Sequence, residues 1–288
     1  MSHDLHLAMR RGTTLDAERL AAVLARQRHW KRADAKAWRY EDPETGVYGT
    51  LESDADPPPL SADLVAADLL ANLNYARPSF FGRQFLPLIV EIADALDLRV
   101  VDPQDHEIGG DAKPKVAVLE ELLATWDAGN AKSFGVAQPL AVDLPRMSRA
   151  NTLAWWEYMR ARAEYKARLG ERAFVPDLRL VRRTGTERVV RLVIWVEGNP
   201  ALFPACDLVA VLRPDAKKQF EMRGVIDRAT LVDRLAPLMA ETEFEGLPSQ
   251  SILPAEHADE ARSRAGSLPL EAFVGFDPVA KDGFIDPD

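Results

Sequence analysis

The chain has 288 residues, 47% of them hydrophobic and 28% charged, which is enough for about two domains and too apolar for wholesale disorder. Its one cysteine, Cys206, excludes an intramolecular disulfide and a zinc site built on several thiolates, and no run approaches the ~20 apolar residues of a membrane span. The net charge of -9 is uneven, with 11 acidic and 3 basic residues over 240–288 but 12 basic and 5 acidic residues over 146–191.

The opening MSHDLHLAMRRG lacks the apolar core of a signal peptide, so a cytoplasmic protein is expected. A ratio of 27 arginines to 9 lysines suggests a GC-rich bacterial source. Thr14 is placed to cap a helix from Leu15 to near Trp30, with Leu20, Val23 and Leu24 at helical spacing. Ala37 to Tyr40 and Val47 to Leu51 flank a Pro43-Glu44-Thr45-Gly46 turn and predict a hairpin. After the stiff Pro57-Pro58-Pro59 break, Val65, Ala67, Leu69, Ala71, Leu73 and Tyr75 alternate, which favours a strand over the helix that the Ala/Leu content would allow. A helix follows over Phe85 to Leu96, with Pro87 in its first turn or at a kink, then a short apolar strand that ends at Asp102. A second helix is predicted from Lys113 to Trp126, with Gly129 available to stop it, and residues 130–150 serve as a linker.

Asn151 is placed to cap a helix that runs to Leu169 and stops at Gly170. Strands are predicted at Asp177 to Arg183, Arg188 to Val196, Asp207 to Leu212 and Phe220 to Ile226, and Val190, Leu192, Ile194 and Val196 share one face of the second. A helix from Asp227 to about Met239, interrupted or bent at Pro237, closes the run. The pattern predicts an α+β fold: two small mixed or antiparallel sheets each packed with helices, plus an acidic, proline-containing C-terminal segment. The expected domains are residues 1–129 and 151–240, with 241–288 as an acidic tail. That tail carries Phe273, Val274, Phe276 and Phe284, too many apolar groups for a purely solvated segment, so part of it is expected to dock.

Three constellations carry possible chemistry. Asp102, Asp105, His106 and Glu107 crowd a loop directly after a strand, where carboxylates and a histidine suit a divalent metal. They are the catalytic candidates, with Asp105, His106 and Glu107 as metal candidates. No HExxH or DxDxDG spacing supports them, and a polar turn at Pro103 is the simpler reading. Cys206 would need a base to become a nucleophile, and a buried free cysteine is the commoner case. Trp155, Arg160, Arg162 and Lys166 interleave an aromatic with cations in a way that suits nucleic acid, although one buried helix face explains the same spacing.

No glycine-rich phosphate loop and no GxSxG occurs, so no cofactor is expected. Charge polarity and tail aromatics then favour a non-enzymatic module that binds another protein, in an accessory, regulatory or inhibitor-like role, with Trp155, Arg160, Arg162, Lys166, Phe273 and Phe276 as candidate contacts. The alternative is a metal-assisted hydrolase at the 102–107 loop. Nucleic-acid binding through residues 146–191 comes third, against the overall acidity.

Overall fold

A computed structural model describes residues 1–53, 57, 60–104, 115–137, 144–214, 219–244 and 247–286. The chain divides into two compact units, Met1–Val142 and Asp143–Asp286. The class is α+β, as the sequence predicts, and the described residues form three sheets. Among them no helix is long and apolar enough to cross a membrane.

The N-terminal unit runs β1 (Ser2–Arg10), α1 (Ala17–Arg26), β2 (Trp30–Arg32), β3 (Ala37–Glu41), β4 (Tyr48–Ser53), β5 (Leu64–Asn74), α2 (Phe80–Ala95), β6 (Arg99–Asp102), β7 (Lys115–Val116) and α3 (Leu119–Ala137). Its seven strands form one antiparallel sheet in the order β2-β3-β4-β5-β1-β6-β7. The alternation read from Val65 onward does make a strand, β5, in which Leu69, Ala71 and Leu73 are buried. They pair with Leu7, Leu5 and His3 of β1, so every second residue of the two central strands faces inward. Helix α2 covers that face. The ring of Phe85 packs where a Cβ on Gly49 would fall at 2.5 Å, and Gln84 donates to the Tyr40 hydroxyl at 2.8 Å and to Asp42 at 2.6 Å.

Several boundaries differ from the sequence reading for local reasons. Asp16, not Thr14, caps α1, because its carboxylate accepts from the backbone N–H groups of Glu18 and Arg19. That helix stops at Arg26, and His29 at φ 70° turns the chain so that Trp30 begins a strand. Pro87 sits in the interior of α2 rather than in its first turn. Gly129 does not end α3, which continues to Ala137 and takes in the first part of the stretch read as linker. The glycine is there for closeness: a Cβ would lie 2.6 Å from Cζ of Tyr75.

The C-terminal unit runs α4 (Arg149–Leu169), β8 (Arg179–Arg183), β9 (Val189–Val196), β10 (Ala201–Phe203), β11 (Leu208–Pro214), β12 (Phe220–Asp227), α5 (Arg228–Leu235), β13 (Ala240–Phe244), β14 (Leu247–Leu253), α6 (Ala258–Ala265) and β15 (Phe276–Pro278). Ser148 rather than Asn151 caps α4, accepting from the Asn151 N–H, and Gly170 ends it. After α5, residues 236–238 tighten into a single 3₁₀ turn at Pro237. Strands β10, β14 and β13 make an antiparallel three-stranded sheet. The other sheet is mixed, β12-β11-β9-β8-β15, with β9 and β11 parallel.

One face of the five-stranded sheet is the ordinary core. Val189, Val193 and Trp195 of β9 and Val209 and Val211 of β11 are buried there. The opposite face carries Val181, Leu192, Ala210 and Val225, against which Val190, Ile194, Leu208, Phe273 and Phe276 pack half-buried. Residue 271 is bonded to the outer edge of β12, where its backbone exchanges two 2.8 Å hydrogen bonds with Val225. Residue 276 is bonded to the outer edge of β8. Five residues of extended chain reach about 17 Å, whereas five strand spacings across a flat sheet amount to about 24 Å. The sheet must therefore curl, and this second face is its concave side. A bulge in β12 opposite Val211 and Leu212 supplies local bending, and Arg183 meets Glu271 at 3.6 Å across the gap.

Candidate functional site

The loop after β6 is built around its first residue. The Asp102 side chain is buried, and its Oδ2 accepts from Nε2 of His3 at 2.9 Å while Oδ1 accepts from the Gln104 backbone N–H at 2.8 Å. Both oxygens have partners that turn the carboxylate inward, away from any ligand a solvent loop would hold. His3 is equally buried and lies against two aromatic rings, 5.7 Å from that of Tyr75 and 6.1 Å from that of Trp126, which are themselves 5.2 Å apart. Its Nδ1 has no hydrogen-bond partner among the described residues, nor has the Trp126 indole nitrogen. Burial, with Asp102 and Asp4 nearby, pushes the Tyr75 phenol up to about 12, and its hydroxyl donates to Gln104. Asp105, His106 and Glu107 lie outside the described residues. Among those described, no group of three or more His, Cys, Asp or Glu side chains is arranged to hold a metal ion. The sequence reading missed His3, although the His3, Leu5, Leu7 alternation was the signal that placed it inside.

Cys206 is buried, and desolvation pushes its thiol up to about 12 despite the opposing pull of Arg228 and Arg191. Burial and the raised value both disfavour the thiolate that a nucleophile needs. The neighbouring Asp207 is held bidentately by Arg191, at 3.1 Å through each contact.

The basic helix α4 turns its aromatic rings inward. Trp155, Trp156, Tyr158 and Tyr165 are buried. The Trp155 indole donates to the Leu178 carbonyl at 2.7 Å, and the Tyr158 hydroxyl to that of Pro176 at 2.8 Å. Arg160 lies over the Trp156 ring at 4.8 Å, and Arg162 donates to Pro176. Of the four helix candidates, Arg160 and Lys166 are exposed, Arg162 is half-buried and Trp155 is buried. The helix thus offers bases no open ring to stack on.

The concave sheet face does hold open space. A cavity of about 440 Å³ lies between Leu192, Ile194 and Ala210 on the sheet side and Phe273, Phe276 and Val279 on the segment that closes it. A second cavity of about 300 Å³ shares Asp177, Arg179 and Ile194 with the first and extends toward Asn199. A third, of about 360 Å³, shares Phe276 and is bordered by Arg183, Arg188 and Asp207. Phe273 and Phe276 are stacked at 5.0 Å, so the two tail aromatics form the lid of this space.

No protein family, curated protein or solved structure matches this chain. The site is accordingly defined by its own geometry.

Gly224 is what allows the closing segment to seat. A Cβ there would lie 2.3 Å from the Glu271 carbonyl oxygen, and its φ of 149° is one that L side chains rarely adopt. Across from it, Gly275 at φ 69° turns the segment into β15, and its carbonyl accepts from the Thr184 N–H at 2.7 Å. The charges stand at the margins of the cavities. On β8, Arg179 lies opposite Leu192 and shares its face, and no ion pair of Arg179 occurs among the described residues. Of the residues just placed, the sequence reading had marked Phe273, Phe276 and the Val190–Val196 face, but nothing local in the sequence joins them.

Proposed function

We propose that the protein works by binding, and that its site is the cavity enclosed by the curled β12-β11-β9-β8 sheet and the 271–279 segment, which takes the apolar body of a small ligand. The observation that carries this reading is the 440 Å³ space itself. Its size falls among small-molecule sites of roughly 300–1,000 Å³, and it has their character of apolar walls with a few polar groups at the margin. Asp177, Arg179 and Lys281 are those groups here.

The other readings have less support. A protein partner was inferred in part from tail aromatics, and Phe273 and Phe276 pack against the chain's own sheet. Metal-assisted hydrolysis loses Asp102 to His3. Nucleic-acid stacking loses the α4 rings to the core.

Titration with decanol, a neutral apolar probe, tests the proposal. Saturable quenching of tryptophan fluorescence is expected, because Trp155 is among the residues that line the cavity. Thermal stability should rise with it, by about 2.7 kcal/mol at a hundredfold excess over Kd. Ile194→Trp, which fills the cavity from β9, should abolish both effects while the protein stays folded. An absence of saturable binding by the wild-type chain would sink the idea.

A further inference from the structure

We propose that the ligand of this cavity is a monoanionic amphipath, a carboxylate on an aliphatic or aromatic body, with its head held by Arg179. The inference rests on the cavity reading above and adds the ligand's charge and orientation. Arg179 borders both the central cavity and the one beside it. Its Cα lies across from Leu192, so the side chain rises from the concave face at the boundary between apolar wall and solvent. A guanidinium presents a rigid fork of donors that matches the two oxygens of a carboxylate. Arg179 has no carboxylate partner among the described residues.

The charge balance points the same way. The three cavities are bordered by four cations, Arg179, Arg183, Arg188 and Lys281, and by two anions, Asp177 and Asp207. Asp207 is already matched by Arg191 from beneath, and Arg183 by Glu271. In the lining of the central cavity Arg179 stands without an ion pair among the described residues, which leaves its positive charge for one negative head. That charge stands in a chain whose net charge is -9, so it opposes the field of the whole molecule. A cationic amphipath would meet Arg179 head on, and a neutral one would leave the guanidinium unmatched.

The test compares decanoate, decanol and decylamine on the full chain, for wild type and Arg179→Gln. Decanoate is expected to bind wild type about tenfold tighter than decanol, the worth of one charge-assisted contact, with decylamine weakest. Arg179→Gln should bring decanoate to the affinity that decanol has for the same variant, and saturable decanol binding by that variant shows that it retains the cavity. Equal binding of decanoate and decanol by wild type, or an unchanged ratio in the variant, overturns the inference and leaves the cavity reading standing. Failure of all three probes overturns both.

Discussion

The N-terminal unit covers its sheet with a helix, and the C-terminal unit covers the concave face of its sheet with a short extended segment. Helix α2 brings Phe80, Phe81, Phe85, Leu86, Ile89 and Ile92 to its contact, all buried. The 271–279 segment brings two phenylalanines, both half-buried. A helix delivers side chains at 1.5 Å intervals along its axis, and an extended chain delivers one on a given side only every ~7 Å. The first cover buries the side chains it brings, and the second leaves a cavity. The difference teaches where room for a ligand arises: it follows from the kind of backbone that closes the layer, not from a shortage of apolar residues.

Predictions that break or sharpen this contrast differ in size. The largest effect is expected in the sealed unit. His3→Leu leaves the buried Asp102 carboxylate without its ring partner, at a cost of about 3 kcal/mol. Urea unfolding measures it, and the double variant with Asp102→Leu should recover part of the loss. A neutral His3→Leu would mean that this interior is wetter than the contrast requires. Next comes Gly224→Ala, which pushes the Glu271 backbone away from β12 and costs about 2 kcal/mol. Hydrogen exchange at Glu271 and Val225 should accelerate and decanol binding should weaken, while exchange in β1 and β5 stays slow. Equal acceleration in both units would erase the distinction.

The smallest effect concerns pH. Cys206 and Tyr75 are both raised to about 12, from 9.0 and 10.0, so the folded state holds protons that the unfolded chain releases first. Their contribution is complete below pH 9 and is lost as pH rises toward 12. For the buried thiol the loss is on the order of 1 kcal/mol by pH 10. Cys206→Ala should flatten the decline of the urea midpoint between pH 8 and pH 10. A slope identical to wild type would remove the thiol from the account.

How much of this was legible depends on the distance between the interacting residues. Helix α4 and strand β9 are written in local periodicity, and the structure has them where the pattern puts them. Strand β5 was legible for the same reason, since its alternation outweighed its alanine content. Short elements such as β10 and β15, three residues each, have no pattern of their own and exist because a neighbouring strand supplies their hydrogen bonds. The candidate site belongs to this second kind. Phe273 was marked for docking on composition, but its partners Val181, Leu192 and Val225 lie some 50 to 90 positions earlier and no local rule selects them. His3 and Asp102 are 99 positions apart, and the pair is visible only once β1 and β6 are paired.

The place of β1 inside its sheet also governs the order of assembly. It lies between β5 and β6, with His3 opposite Leu73 and His6 opposite Val101. During synthesis β1 therefore waits for β5 until the chain has grown past residue 74, and its other edge waits for β6 until residue 102. A sheet whose first-made member is completed by its later ones closes through long loops, and such closures are slow. Folding of the N-terminal unit should accordingly be rate-limited by the docking of β1, with a premium on a chaperone that shields its Leu5 and Leu7 face in the interval.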